Sequence, residues 1–251
     1  MITRRELAVA LLPLLAPKLT ARFAAKTFGD LPYRLFSPEL RRGKRYPLVL
    51  WLHGGGGRGD DNLQQLREGN AIGARIWTEP KQQAANPCFV VAPQCPANAM
   101  WTTIGERVRP TEQLWRVVDL LARLQTELPI DAARVYVAGQ SMGGYGSWAL
   151  LAECPAAFAA AVPLCGGGDT ENAKRMTGVP VWAFHGAQDR AVPVERSRTM
   201  IAAIRAAGGK PRYTEHRDVD HVVWTRAFAE PALLPWVFAQ RRTTVTRCSR
   251  S

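Results

Sequence analysis

The chain has 251 residues, 47% hydrophobic and 22% charged, with 21 Gly and 18 Pro, which is the profile of one ordinary globular domain and excludes a disordered chain, a collagen or a coiled coil. Lys and Arg number 33 against 21 Asp and Glu, a formal net charge of +12. The basic residues are scattered, clustering only at Arg41, Arg42, Lys44 and Arg45 and at Arg241, Arg242, Arg247 and Arg250 with no aromatics between them, so a solvated surface is expected and not a nucleic-acid partner.

In chain order, residues 1–25 read as an export segment. Arg4 and Arg5 precede the apolar run Leu7 to Leu15, which is too short to span a bilayer, and Thr3-Arg4-Arg5-Glu6-Leu7 has a twin-arginine character. The expectation is an exported bacterial protein without a stable membrane anchor; the alternative is a packed N-terminal helix and a cytoplasmic protein. Beyond residue 26, short β-rich runs alternate with longer amphipathic segments, as in an α/β sheet with helices on its faces. Strands are expected at Tyr33 to Phe36, Tyr46 to Leu52, Phe89 to Ala92, Val135 to Ala138, Phe158 to Leu164, Val179 to Phe184 and Arg212 to His216. Helices are expected at Leu63 to Trp77, Glu112 to Leu128, Gly146 to Glu153, Val194 to Ala207 and Val222 to Ala229. Residues 241–251 read as a basic flexible tail.

Gly139-Gln140-Ser141-Met142-Gly143 fits G-x-S-x-G, with a strand before it and a helix-capable run after it. A serine on a sharp strand-to-helix turn is held in a strained conformation, so its neighbours two positions away must be small. Its hydroxyl needs a base at neutral pH, and the base needs an orienting carboxylate. This turn resembles that of α/β-hydrolases, whose chain order Ser, acid, His implies His185, His216 or His221 as the base; His185 lies in or at the end of a strand, and His221, in a loop after the polar last strand, is favoured over His216 as an exposed strand residue. Asp189, in the turn after the strand ending at Phe184, is favoured over Asp169, and Asp218 and Asp220 are expected to face solvent. His53-Gly54-Gly55-Gly56-Gly57 follows a buried strand, so the N–H groups of Gly55 and Met142 are the expected oxyanion donors.

These motifs, with His53 to Asn62, Val91-Ala92-Pro93-Gln94-Cys95-Pro96 and Gly139 to Gly146, resemble the α/β-hydrolases, and within them the esterase and peptidase group near dienelactone hydrolases and prolyl oligopeptidase catalytic domains. The resemblance implies an α/β-hydrolase fold over residues 26–240, with a mostly parallel sheet of about eight strands, and a serine carboxylic-ester hydrolase; a peptidase or a non-catalytic binding module are the alternatives. Ser141 departs from the cysteine nucleophile of dienelactone hydrolases and favours ordinary esters. About 14 residues separate the strand ending at Leu164 from the next, too few for a large cap, so an open cleft and a small-molecule or polymer-borne ester are expected. Trp77, Trp101 and Trp224 are candidates to wall it, and Gln140 to touch substrate. Cys88, Cys95, Cys154, Cys165 and Cys248 form neither a CxxC pair nor a Cys/His metal spacing, so no metal or cofactor is expected.

Overall fold

The structure, a computed structural model, describes residues 19–105, 107–244 and 248. Most of the expected export segment, residues 1–18, lies outside them; Leu19–Arg22 forms a 3-10 turn and Ala24 already opens a strand. Eight strands form one sheet: β1 (Ala24–Phe28), β2 (Leu31–Phe36), β3 (Tyr46–Leu52), β4 (Phe89–Pro93), β5 (Ile130–Gln140), β6 (Ala160–Leu164), β7 (Trp182–Gly186) and β8 (Arg212–His216). Their spatial order is β1-β2-β4-β3-β5-β6-β7-β8. β1 and β2 are antiparallel to their neighbours, and every pair from β4 to β8 is parallel.

Period-two alternation builds both layers at once. Leu48, Leu50 and Leu52 of β3 point into one core with α3 (Glu112–Glu127), α4 (Met142–Glu153) and α5 (Glu195–Ala206). Val49 and Trp51 point into the other, with α1 (Glu68–Thr78), α6 (Trp224–Ala229) and α7 (Leu233–Ala239). A strand covered on both faces needs a near-continuous apolar run, and Tyr-Pro-Leu-Val-Leu-Trp-Leu is fully buried.

Chain order reverses around β3, which has β4 on one side and β5 on the other. The turns leaving β3 and β5 therefore diverge and open a crevice at the carboxyl edge of the sheet. Between β6 and β7 the chain makes one 3-10 segment, Thr170–Met176, and no cap domain. The tail begins on the body of the domain: Arg241 pairs with Asp131 at 2.9 Å, and the Arg242 N–H donates to Ala133 O at 3.0 Å. Cys154, at the C-cap of α4, is disulfide-bonded to Cys248, while Cys88, Cys95 and Cys165 are free and buried. Among the described residues no helix is long and apolar enough to cross a membrane.

Candidate active site

Ser141 is the single residue between β5 and α4, with φ +54° and ψ −117°. A non-glycine residue in that region carries of order 1–3 kcal/mol of strain and needs its surroundings to hold it there. The Ser141 N–H donates to Leu164 O at 2.9 Å, and the Tyr145 N–H donates to Ser141 O at 3.0 Å. The flanking glycines are required by contact. A Cβ at Gly139 would stand 2.2 Å from Gly143 O, and one at Gly143 would stand 2.0 Å from Leu52 O.

His221 Nε2 lies 2.9 Å from Ser141 Oγ, and His221 Nδ1 lies 2.7 Å from Asp189 Oδ2. Geometry assigns the protons: the carboxylate accepts from Nδ1–H, leaving Nε2 to accept from the hydroxyl. Asp189 is buried at 8% exposure, and its Oδ1 accepts the N–H groups of Ala191 and Val192 at 2.8 Å each. The loop carrying His221 rests on β7: the Ala187 N–H donates to His216 O, and the Gln188 N–H to Val219 O. Of the other expected acids, Asp169 caps the 3-10 segment through the Glu171 N–H, and Asp218 and Asp220 are exposed. His216 differs from expectation: it is half-buried, with its ring stacked on Phe184.

The glycine turn after β3 is held from beneath. His53 is fully buried; its Nδ1–H donates to Gly54 O at 2.7 Å, and its Nε2 accepts the Cys95 N–H at 3.0 Å. Burial lowers its pKa to about 4, so the ring is a neutral pin. Asn70, from α1, accepts the Gly54 N–H at 2.9 Å and the Gln140 Nε2–H at 3.2 Å on the same oxygen. One side chain thus ties the glycine turn to the residue before Ser141. Gly55 leads the 3-10 turn Gly55–Gly57 and Met142 leads α4, so neither N–H has an acceptor upstream within its own element. The space beside Gly55 is open, with nothing within 4 Å of where a Cβ would sit. Two motifs far apart in the chain prove to be partners here: Gln94 Nε2–H donates to Asp61 Oδ1 at 2.8 Å, and Asp61 also accepts the N–H groups of Leu63 and Gln64.

Two of the expected substrate contacts are corrected. Trp101 is fully buried; its indole N–H donates to His53 O at 3.2 Å, and its ring lies 5.1 Å from that imidazole, so it braces the glycine turn from inside. Gln140 is 3% exposed and holds Asn70, facing away from solvent. Trp77 is also core, edge-on to Phe228 and Phe238. Trp224 does reach the site, where its ring meets the His221 imidazole edge-on at 5.6 Å and supports it.

Among the described residues one grouping offers metal-ligand atoms within 4.8 Å of one another, Cys165, Asp189 and His221. Burial drives the Cys165 thiol pKa far up, which disfavours a thiolate ligand, and Asp189 and His221 already bind each other. Chemically the set is arranged so that a proton can pass between hydroxyl and imidazole: a hydroxyl faces an imidazole, a carboxylate orients that imidazole, and two leading amides lie on adjoining turns.

Sheet order, the turn at Ser141 and the helices on both faces define an α/β-hydrolase fold. The sequence matches the Esterase family model, described as "Putative esterase", over residues 26–222, and the chain belongs to that family. A thermostable esterase is 39% identical, with a TM-score of 0.84 over 89% of this chain; the match spans 64% of the length of that protein. A feruloyl esterase module from Clostridium thermocellum, complexed with sinapinate, is 16% identical, with a TM-score of 0.64 over 87% of this chain and 88% of its own. An acylaminoacyl peptidase from Pyrococcus horikoshii is 14% identical, with a TM-score of 0.64 over 94% of this chain and 44% of its own. At those identities the last two attest the fold alone. No curated protein matches the sequence.

Proposed function

We propose that the chain hydrolyses carboxylic esters through an acyl-enzyme on Ser141. The observation that carries the reading is the continuous relay Ser141 Oγ, His221, Asp189 at 2.9 and 2.7 Å. His221 Nε2 takes the hydroxyl proton as Oγ bonds to the ester carbonyl carbon, and the N–H groups of Gly55 and Met142 stabilise the oxyanion. Collapse of that intermediate breaks the bond to the alkoxy group, which takes the proton from His221. Water then attacks the acyl-serine by the same route and releases the acid. Asp189 holds the imidazole in one tautomer and stabilises the imidazolium between the two transfers.

The short β6–β7 connection supports an open cleft, and hence accessible polar or polymer-borne esters over long-chain lipids. Ferulic and feruloyl esterases share the fold, which makes hydroxycinnamoyl esters the first polymer-borne group to try. The Cys154–Cys248 disulfide supports the proposal that the protein is exported, because such bonds persist in oxidising compartments.

The test is a fluorophosphonate probe together with burst kinetics on p-nitrophenyl acetate, long-chain esters, feruloyl esters and an acyl-peptide panel. The expected result is labelling lost in Ser141→Ala, a burst with acetate, and poor turnover of long chains. Absence of labelling would mean a binding module; turnover of peptides without esters would mean a peptidase.

A further inference from the structure

Asp189 Oδ2 faces a second imidazole besides that of His221. His185, in β7 and fully buried, places Nε2 3.3 Å from Asp189 Oδ2 and 3.0 Å from Val192 O. Both are acceptors, so Nε2 bears the proton. Its Nδ1 lies 2.7 Å from Ser197 Oγ in α5, whose hydroxyl proton is shared between Nδ1 and Gly166 O at 3.2 Å. Val192 closes the ring of contacts, because its N–H donates to Asp189 Oδ1 while its carbonyl accepts from His185. The carboxylate therefore has two backbone amides on one oxygen and the His221 N–H on the other, and the His185 N–H, donated to Val192 O, stands beside that second oxygen.

We propose that His185 is a positioning residue that sets the basicity of His221 through their shared carboxylate oxygen. A carboxylate oxygen that also faces the positive end of a neutral N–H has its negative charge partly offset, leaving less to hold a proton on its other partner. Burial keeps His185 itself below the ordinary imidazole pKa, so it stays a donor and does not become a competing cation. The other groups around this pair do not substitute for it. Tyr145, from α4, and Cys165, after β6, are buried, with their ionisation pushed upward. Arg196, in α5, donates to Gly105 O. From β8, Glu215 is paired with Arg198 at 2.6 Å. Ser197 is a hydroxyl without a charge.

The inference rests on the reading of Ser141, His221 and Asp189 as the hydrolytic set, so its test reads His221 directly. Imidazole nitrogens of 15N-histidine protein are followed by NMR against pH in the wild type, His185→Leu and His185→Gln, beside the kcat/KM profile on p-nitrophenyl acetate. His185→Leu removes the donor and is expected to raise the His221 pKa, and with it the acid limb, by about half a pH unit. His185→Gln keeps an N–H and is expected to titrate near the wild type. A folded His185→Leu protein in which His221 titrates as before overturns the proposal, as does a downward shift. If His185→Leu does not fold, Ser197→Ala decides. Losing the hydroxyl on Nδ1 weakens the Nε2 donor, so a smaller upward shift supports the proposal and an unmoved His221 overturns it. The NMR titration reports whether or not an ester is turned over, so a failure of the esterase reading is seen separately, as absent hydrolysis beside an intact pH response.

Discussion

At the β3–β5 end of the site, backbone meets backbone: a methyl group at Gly139 would strike Gly143 O, and one at Gly143 would strike Leu52 O. At the β7–β8 end, side chain meets side chain: Asp189, His221, His185 and Trp224 are joined by hydrogen bonds and ring contacts, with His221 partly open to solvent. A nucleophilic Ser141, as proposed, needs a single strained conformation, which hard contacts enforce best. In the proposed mechanism His221 gains and loses a proton, and polar contacts accommodate that change of charge.

The polar end responds most to Asp189→Asn, which keeps the shape and removes the charge. It should lower kcat on p-nitrophenyl acetate by roughly 10³- to 10⁴-fold through the wrong imidazole tautomer, with little change in melting temperature. Gly143→Ala probes the steric end. A Cβ 2.0 Å from Leu52 O must displace the turn, and we expect about a 10²-fold or greater loss of activity together with roughly 3 kcal/mol of stability in urea unfolding. A Gly143→Ala enzyme with wild-type kcat would break the contrast drawn here.

A third expectation concerns pH. In the unfolded chain His53 titrates near its ordinary value, whereas in the fold burial holds it at about 4. Between these values the unfolded state binds more protons, so stability falls as pH drops from about 6.5 to about 4, by up to about 3 kcal/mol. His53→Gln should be less stable than the wild type at pH 7, and that gap should narrow as pH falls to 4. The smallest effect is expected for Asn70→Ala, which frees the Gly54 N–H and loosens the oxyanion turn. A roughly tenfold fall in kcat at nearly constant KM is the expected reading, while a change confined to KM would assign Asn70 to substrate binding.

How much of this was legible in the sequence depended on whether a residue's task leaves a local mark. β3 matches its expected bounds because burial on both faces demands an unbroken apolar run, and β8 because a polar, β-prone segment follows a helix. β1 was missed: four of its five residues are exposed, and its Ala-Ala-Lys-Thr-Phe has neither alternation nor an apolar core. α4 starts at Met142, before the expected Gly146, since helix propensity counts against Gly143, Gly144 and Gly146 while contacts with β3 and β6 require them. The short helices Pro80–Ala85 and Leu233–Ala239 went unseen for want of length. In the site, Ser141, Asp189 and His221 are expected from motif and chain order, and the fold brings their side chains together. Asn70, and the support given by His53 and His185, come from contacts across the sheet that no spacing encodes. Trp101 was misplaced because a large indole suits a core as well as a cleft.

The disulfide between Cys154 and Cys248 closes a covalent loop across 94 positions and joins the tail to the far end of the helix that starts behind Ser141. A mechanical load applied at the C-terminus enters the fold at Cys154 and bypasses β7, β8 and the His221 loop.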